Sequence, residues 1–331
     1  MIDMLGKPVV VQELRKWYPV RRSVLLSHGQ QAFVKSVDDV SFFIEEGEVL
    51  GLIGESGCGK STLSRVLLGL EKPTAGKILF KGEDISEMLK REPKSFRRKA
   101  QIVMQNPFDF LDPRETIERA LSRALELHQI GSSAKERSEI CLQGLEGIGL
   151  KPARSFLLRR PRELSGGQLQ RICILRSMLL KPLLLVADEP VSMLDVSVRA
   201  DVLNTLLDLS AENLTSILFV SHDISVTRYV SNRIAVMYLG RIVEIGNADD
   251  VVFSPAHPYT EALISNSPSP DPRNKRERIT LSGEPPTPIN PGPGCYFAPR
   301  CFRKTKECAN LYPDCVDLGG GHLVWCFNPK N

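Results

Sequence analysis

Glu48-Val-Leu-Gly-Leu-Ile-Gly-Glu-Ser-Gly-Cys-Gly-Lys-Ser-Thr62 opens as an apolar run and continues as a glycine-studded loop. Residues 49–53 have the length and composition of a short buried strand. Glycines follow at 54, 57 and 59, ahead of Lys60 and Ser61. This is the phosphate-loop spacing G-x-x-x-x-G-K-[ST], set between a strand and a helix, the context that gives the pattern meaning. The chemistry explains the residue types. Successive backbone N–H groups must face phosphate oxygens, and glycine tolerates the backbone angles and the close approach this needs. A helix beginning near Lys60 adds its positive end. Lys60 is expected to reach the β- and γ-phosphates and Ser61 to ligate Mg²⁺, with Gly54, Ser56, Gly57, Cys58, Gly59 and Thr62 in the same cradle.

Working outward, residues 9–18 read as a strand ending in Trp17 and Tyr18, residues 21–32 as a basic, polar insert, and residues 33–44 as a second strand. Downstream, 61–70 is helical, 76–82 is a short strand, 83–99 is charged and helical, and 100–105 is another buried strand. From 106 to 163 strand-like runs vanish and helical patterns take over, notably 114–127 and 134–148, which predicts a helical subdomain. Alternation then resumes: helix 166–180, strand 183–187, helix 196–211, strand 216–221, helix 223–231, strands 234–239 and 241–245. Strands alternating with helices argue for an α/β domain over 1–252 with a largely parallel sheet. Residues 253–331 form a proline- and cysteine-rich extension. Prolines at 268, 270, 272, 285, 286, 288, 291 and 293 leave little room for regular structure, so 255–299 is expected to be an extended connector.

The 331 residues suffice for about two domains. A net charge of +4 gives no bulk electrostatic reason to bind nucleic acid. No stretch reaches the roughly 18 consecutive apolar residues of a membrane-spanning helix. Met1-Ile2-Asp3-Met4 shows no basic region leading into an apolar core, so no secretory signal is read. A cytoplasmic chain is expected, any membrane attachment coming through a partner.

Two further motifs carry chemistry. Leu183-Leu-Leu-Val-Ala-Asp188-Glu189 is an apolar strand ending in two acids. Asp188 at the strand end suits Mg²⁺ coordination, commonly through water, and Glu189 is placed to polarise an attacking water as general base. Leu164-Ser165-Gly166-Gly167-Gln168 opens a helix. Its plain reading is an N-cap serine with a glycine turn; its sharper reading is a second anion-binding helix end, which one nucleotide does not need but another subunit's nucleotide could use.

Gly54–Ser61, Gln105, Ser165–Gln168, Asp188-Glu189, Ser192-Met-Leu-Asp195 and Ser221-His222-Asp223 together resemble the nucleotide-binding subunit of ATP-binding cassette (ABC) transporters, in the family's order. The resemblance covers roughly residues 9–252. It implies a P-loop ABC ATPase with an N-terminal antiparallel β portion, working as a head-to-tail dimer. ATP would lie between the phosphate loop of one subunit and Ser165, Gly166, Gly167 and Gln168 of the other. Gln105 would sense Mg²⁺ and the γ-phosphate, His222 would contact the γ-phosphate and help hold Glu189 and the water, and Asp195 would lie at the dimer seam. Tyr18 resembles the aromatic that stacks on adenine, with Trp17 as its rival and core packing as the plain alternative. Cys58, beside Lys60 near a helix N-terminus, is expected to have a lowered pKa, so that alkylation slows turnover and bound ATP protects; space-filling is its plain role.

Tyr18-Pro-Val, Gln105-Asn-Pro-Phe, Asp112-Pro-Arg, Met237-Tyr-Leu-Gly-Arg, His257-Pro-Tyr-Thr-Glu-Ala-Leu and Leu281-Ser-Gly-Glu-Pro-Pro-Thr-Pro look like the dipeptide/oligopeptide importer ATPases, more the F-type subunit than its D-type companion. Met193 replaces the family's usual alanine, a departure expected to be harmless. The resemblance implies a D-type ATPase partner, two transmembrane permease subunits, an extracytoplasmic peptide-binding protein, no nucleic acid, and a place on the cytoplasmic face of the membrane. Other cargoes, oligosaccharide or nickel, stay open, as does a soluble ABC ATPase acting on nucleic acid or ribosomes.

Of eight cysteines, Cys295, Cys301, Cys308, Cys315 and Cys326 crowd into the end of the chain. A reducing compartment disfavours disulfides there and suggests metal. The spacing fits neither zinc ribbons nor ferredoxin runs, so chemistry alone reads thiolates near one another around an unidentified metal. The peptide-importer resemblance implies a [4Fe–4S] cluster on Cys295, Cys301, Cys308 and Cys326, with zinc as the alternative and Cys315 a free thiol.

Overall fold

The computed structural model describes residues 6–20, 31–267 and 277–330. Most of the 21–32 insert, the prolines at 268, 270 and 272, and Met1–Met4 lie outside these residues. In chain order the strands are β1 (Val9–Pro19), β2 (Phe33–Ile44), β3 (Val49–Ile53), β4 (Ala75–Phe80), β5 (Glu83–Asp84), β6 (Ala100–Val103), β7 (Leu184–Asp188), β8 (Ser216–Val220), β9 (Arg233–Tyr238), β10 (Arg241–Asn247), β11 (Cys315–Asp317) and β12 (Leu323–Trp325). The helices are α1 (Lys60–Leu67), α2 (Ile85–Arg91), α3 (Pro93–Lys99), α4 (Ile117–Leu127), α5 (Ala134–Gly147), α6 (Ala153–Leu158), α7 (Gly166–Met178), α8 (Val196–Asn213), α9 (Ile224–Val230), α10 (Ala248–Phe253) and α11 (Pro258–Ser265). They fall into two compact units, one reaching to Phe43 and resuming over Val49–Ser86 and from Val220 onward, the other made of Ile44–Glu48 and Glu87–Phe219.

The first unit holds the antiparallel β portion, in the order β2-β1-β4-β5, and a second run of strands, β11-β12-β10-β9-β3. β3 pairs parallel with β9, Leu52 opposite Ala235, and every residue of β3 is buried. A strand covered on both faces reads as a continuous apolar run, which is why Val49–Ile53 was legible. The second unit holds β8-β7-β6, with β6 and β7 parallel, and a helical core in which Ile117, Leu121 and Leu125 of α4 meet Cys141 and Leu145 of α5 and Leu169, Ile172 and Leu175 of α7. The i, i+4 spacing of the α4 residues sets one apolar stripe, and Thr116 starts the helix by accepting from the Arg119 N–H. Burial pushes the Cys141 thiol up to about 11 and Cys173 up to about 12, so both are inert packing residues.

The extension is more regular than its prolines suggest. Pro258 at N1 and His257 as N-cap launch α11, the imidazole Nδ1 accepting from the Tyr259 N–H at 3.0 Å. That signal was in the sequence. Tyr259, Tyr296 and Phe297 enter one core with Ile53, Val236 and Tyr238, each large side chain contributing about 1.5–3 kcal/mol by burial. Among the described residues, 277–295 form no helix or strand, as expected of an extended connector; within them the Lys35 N–H donates to the Pro288 carbonyl at 3.0 Å, and Val34 bridges Ile289.

Glu244, fully buried on β10, accepts from the N–H groups of Ala256 (2.8 Å) and His257 (2.9 Å) and pairs with His322 Nε2 at 2.7 Å. The two histidines titrate in opposite senses. Burial, with Arg303 nearby, drops His257 to about 3, so below about 6.5 the unfolded chain takes a proton the fold refuses. The Glu244 hydrogen bond, with Asp250 and Asp317, raises His322; its stabilisation is full below about 6.5 and is lost as pH climbs through the raised value. Thermal unfolding followed from pH 5 to 9 should show stability falling away on both sides of about 6.5. His322→Gln should flatten the alkaline side only, and an unchanged alkaline slope would refute the assignment.

Candidate functional site

The phosphate loop is built around three close approaches. A Cβ on Gly54 would stand 2.2 Å from the Met237 carbonyl oxygen, and one on Gly59 would stand 2.0 Å from that of Ser36. Both glycines have positive φ, 156° and 112°. Gly240 donates its N–H to the Cys58 carbonyl at 2.8 Å, seating the loop on the β9–β10 hairpin. Gly57 (φ 77°) is exposed with open space beside it. Lys60 is buried at the start of α1, and its ammonium donates to the carbonyls of Gly54 (2.7 Å) and Glu55 (3.0 Å), closing the loop on itself. Ser56 is exposed on the loop, and in the first turn of α1 Ser61 is exposed and Thr62 half-buried.

Tyr18 lies beside this helix: its hydroxyl donates to Glu71 and accepts from Thr62, while the Lys16 ammonium sits 4.9 Å from its ring centre. Trp17 is engaged elsewhere, its indole N–H donating to Asp38 at 3.1 Å and its ring facing Lys35. The expectation for Cys58 is corrected. Its side chain is 3% exposed, and burial pushes the thiol up despite Lys60 Nζ at 3.7 Å. Desolvation of the thiolate outweighs one ammonium already shared with two carbonyls, so Cys58 fills space. His222 stands exposed at the head of α9, between Ser221, whose hydroxyl accepts from the Asp223 N–H at 3.0 Å, and Asp223, which caps the helix.

In the second unit, β7 delivers Asp188 and Glu189 as half-buried side chains directly after the fully buried Ala187. Glu189 takes left-handed backbone (φ 49°), and its carbonyl accepts from the Ser192 hydroxyl at 3.0 Å, which closes the turn. Non-glycine residues hold that conformation at a cost and cluster at functional sites. Gln105, two residues beyond β6, donates from Nε2 to Glu189 at 3.3 Å, so two predicted site residues do meet. Ser165 caps α7, its hydroxyl accepting from the Gln168 N–H and its N–H donating to the Gln168 side chain. A Cβ on Gly167 would lie 2.2 Å from Val198 of α8, so this glycine is required by helix packing. Asp195 precedes α8, exposed, and Met193 beside it is 63% exposed, consistent with a harmless replacement.

Among the described residues, no three His, Cys, Asp or Glu side chains gather closely enough to hold a single metal ion. The tail thiols are nevertheless neighbours. Cys295 lies within electrostatic reach of Cys308 and Cys326, and Cys326 of Cys301 and Cys308. Backbone N–H groups aim at three of the sulfurs: Phe297 and Ala298 at Cys295, Arg303 at Cys301, and Asn328 at Cys326 (3.4 Å). Thr305 Oγ1 is 3.3 Å from Cys308 Sγ. Such donors favour thiolate over thiol, as cluster ligands require. Burial, with Cys308 and Cys326 nearby, pushes Cys295 up to about 11, so a bound metal centre would have to supply the positive charge that deprotonates it. Cys315 is exposed on β11 and takes part in none of this.

No helix among the described residues is long and apolar enough to cross a membrane. Residues 37–192 match the family model for ABC transporters, and residues 243–308 match that for the oligopeptide/dipeptide transporter C-terminal region. The chain is 45% identical over 95% of its length to the dipeptide transport ATP-binding protein DppF of Escherichia coli, covering 92% of that protein. It is 43% identical over 96% of its length to the oligopeptide transport ATP-binding protein AppF of Bacillus subtilis, covering 95% of it. Among solved structures, the ATP-binding cassette MJ0796 in a post-hydrolysis dimer with ADP and Pi superposes with a TM-score of 0.62 at 26% identity, over 72% of this chain and 98% of that one.

Proposed function

We propose that this chain, which belongs to the ABC transporter family and to its oligopeptide/dipeptide branch, binds and hydrolyses ATP to drive uptake of di- and oligopeptides through transmembrane permease subunits. The observation that carries the peptide assignment is full-length likeness to peptide transport ATP-binding proteins, including the C-terminal region beyond the cassette. Lys60 and the loop N–H groups take the phosphates. Ser61, Gln105 and, through water, Asp188 would hold Mg²⁺, which would supply positive charge to the transferring phosphoryl group. Glu189 accepts the proton of the attacking water, oriented by Gln105, and His222 contacts the γ-phosphate. Tyr18 stacks on adenine, worth about 1–3 kcal/mol by analogy with base stacking. Ser165–Gln168 serve the partner's nucleotide, Asp195 lies at the seam, and the helical segment 106–163 passes closure to the permease. The partner is a D-type ATPase. The test is uptake of a labelled dipeptide into vesicles holding this chain, its partner ATPase, the permease and the binding protein. ATP-dependent peptide uptake supports the reading; uptake of oligosaccharide or nickel in its place overturns the cargo.

A second proposal concerns the tail: Cys295, Cys301, Cys308 and Cys326 hold a [4Fe–4S] cluster. The N–H donors at the sulfurs and the mutual proximity of the four thiols support it. Protein purified without oxygen should carry iron and acid-labile sulfide, lost in Cys301→Ser and retained in Cys315→Ser. Zinc alone, or no metal, refutes the cluster and leaves the ATPase assignment standing.

A further inference from the structure

We infer that Arg300 is a positioning residue for the ATP reaction, a brace that holds the phosphate loop from the C-terminal extension. Arg300 ends a short 3₁₀ turn, Ala298–Arg300, between Cys295 and Cys301. Its guanidinium donates to both carboxylate oxygens of Glu55, NH1 to Oε2 at 2.8 Å and NH2 to Oε1 at 3.1 Å. Glu55 is a loop residue whose backbone is pinned as well. Its N–H donates to the Tyr259 hydroxyl at 2.8 Å, and its carbonyl accepts from Lys60 at 3.0 Å. One loop residue is therefore gripped by the phosphate-binding lysine on one side and by the extension, through Tyr259 and Arg300, on the other.

The surroundings suit a brace. The Arg300 side chain is 7% exposed and the Glu55 side chain 26%. Two parallel bonds between planar groups fix direction as well as distance. The Arg300 turn is itself held, its N–H donating to the Phe297 carbonyl at 2.9 Å while the Phe297 ring packs edge-on against Tyr238 and Tyr259. Pro285, Pro286, Thr287 and Pro288 cover the other flank of Glu55–Cys58 across a cavity of about 270 Å³. A phosphate cradle works by backbone N–H groups already aimed at the anion, so a residue that stops the loop from tilting acts on nucleotide affinity without touching nucleotide.

The inference rests on the ATP-site reading above. The experiment is titration of the full chain with a fluorescent ATP analogue, alongside ATPase kinetics in the assembled transporter. Arg300→Gln should weaken nucleotide binding about tenfold, with a matching rise in KM and kcat changed less than about threefold. Arg300→Lys, which keeps the charge and loses the fork, should fall between. Glu55→Gln should match Arg300→Gln, and the double variant should be no worse than either, because both remove one interaction. Unchanged affinity in a folded Arg300→Gln protein overturns the inference, as do losses that multiply in the double variant. Glu55→Gln leaves the extension's own packing in place and carries the test should Arg300→Gln not fold. Lys60→Ala separates the premise: if it leaves nucleotide binding intact, the ATP-site reading fails, whereas loss in Lys60→Ala with no effect at Arg300 condemns the brace alone.

Discussion

Glu189→Gln will keep ATP binding and lose turnover by about 10²–10⁴, the contribution of a positioned general base. The substitution keeps shape and one oxygen but removes the basic carboxylate. The backbone that aims the side chain does not depend on the carboxylate: left-handed φ of 49°, a buried Ala187 before it, and the Ser192 hydroxyl on its carbonyl. The amide also retains an oxygen to accept from Gln105. The loss should therefore fall on kcat, with nucleotide affinity little changed, the signature of an interaction made in the transition state. Phosphate release at near the normal rate would remove Glu189 from the chemistry.

The second large effect is on the loop itself. Gly59→Ala should destabilise the unit by about 2–5 kcal/mol, the sum of a left-handed residue's cost and of overpacking against backbone. The added methyl meets the Ser36 carbonyl at 2.0 Å and the Met237 methyl at 2.9 Å; the sulfur side chain can swing away and the β2 carbonyl cannot. Gly57→Ala is the control. Its φ is 77° but nothing stands within 4 Å, so only the conformational cost of about 1–2 kcal/mol remains. Denaturant unfolding without nucleotide separates the two; equal losses would mean that the close approach at Gly59 is not what requires glycine there.

Much of this was legible because several signals are local. A buried strand followed by G-x-x-x-x-G-K-S needs only a dozen residues to declare itself, and the cap at Ser165 or Asp223 only four. What stayed hidden was long-range or compositional. Prolines after residue 252 argued for an open connector, yet Pro258 starts α11 and Tyr259 fills the core, since a proline at N1 favours the helix it would break elsewhere. Cys58 looked activated from its neighbours in sequence, but its burial, with Gly240 bonded to its carbonyl and Tyr259 nearby, comes from the fold. Glu55 occupies a position the motif leaves free, and no local pattern announces that its carboxylate has a partner in the tail.

That partnership has a consequence in time. Arg300 lies 245 residues after Glu55, so at about 5–20 residues per second the ribosome takes roughly 12–50 s to deliver one after making the other. The intervening stretch contains Glu87–Phe219, almost the whole of the second unit, which can gather its helical core while the phosphate loop waits unbraced. β3 waits for β9 until Tyr238 has been made, and the loop that follows β3 waits longer still for Tyr259 and Arg300, so the nascent chain carries an unpaired strand edge and an unbraced nucleotide loop for much of that interval. Chains stopped before Tyr296 should accumulate as aggregates, their cassette sequence complete and their fold unfinished.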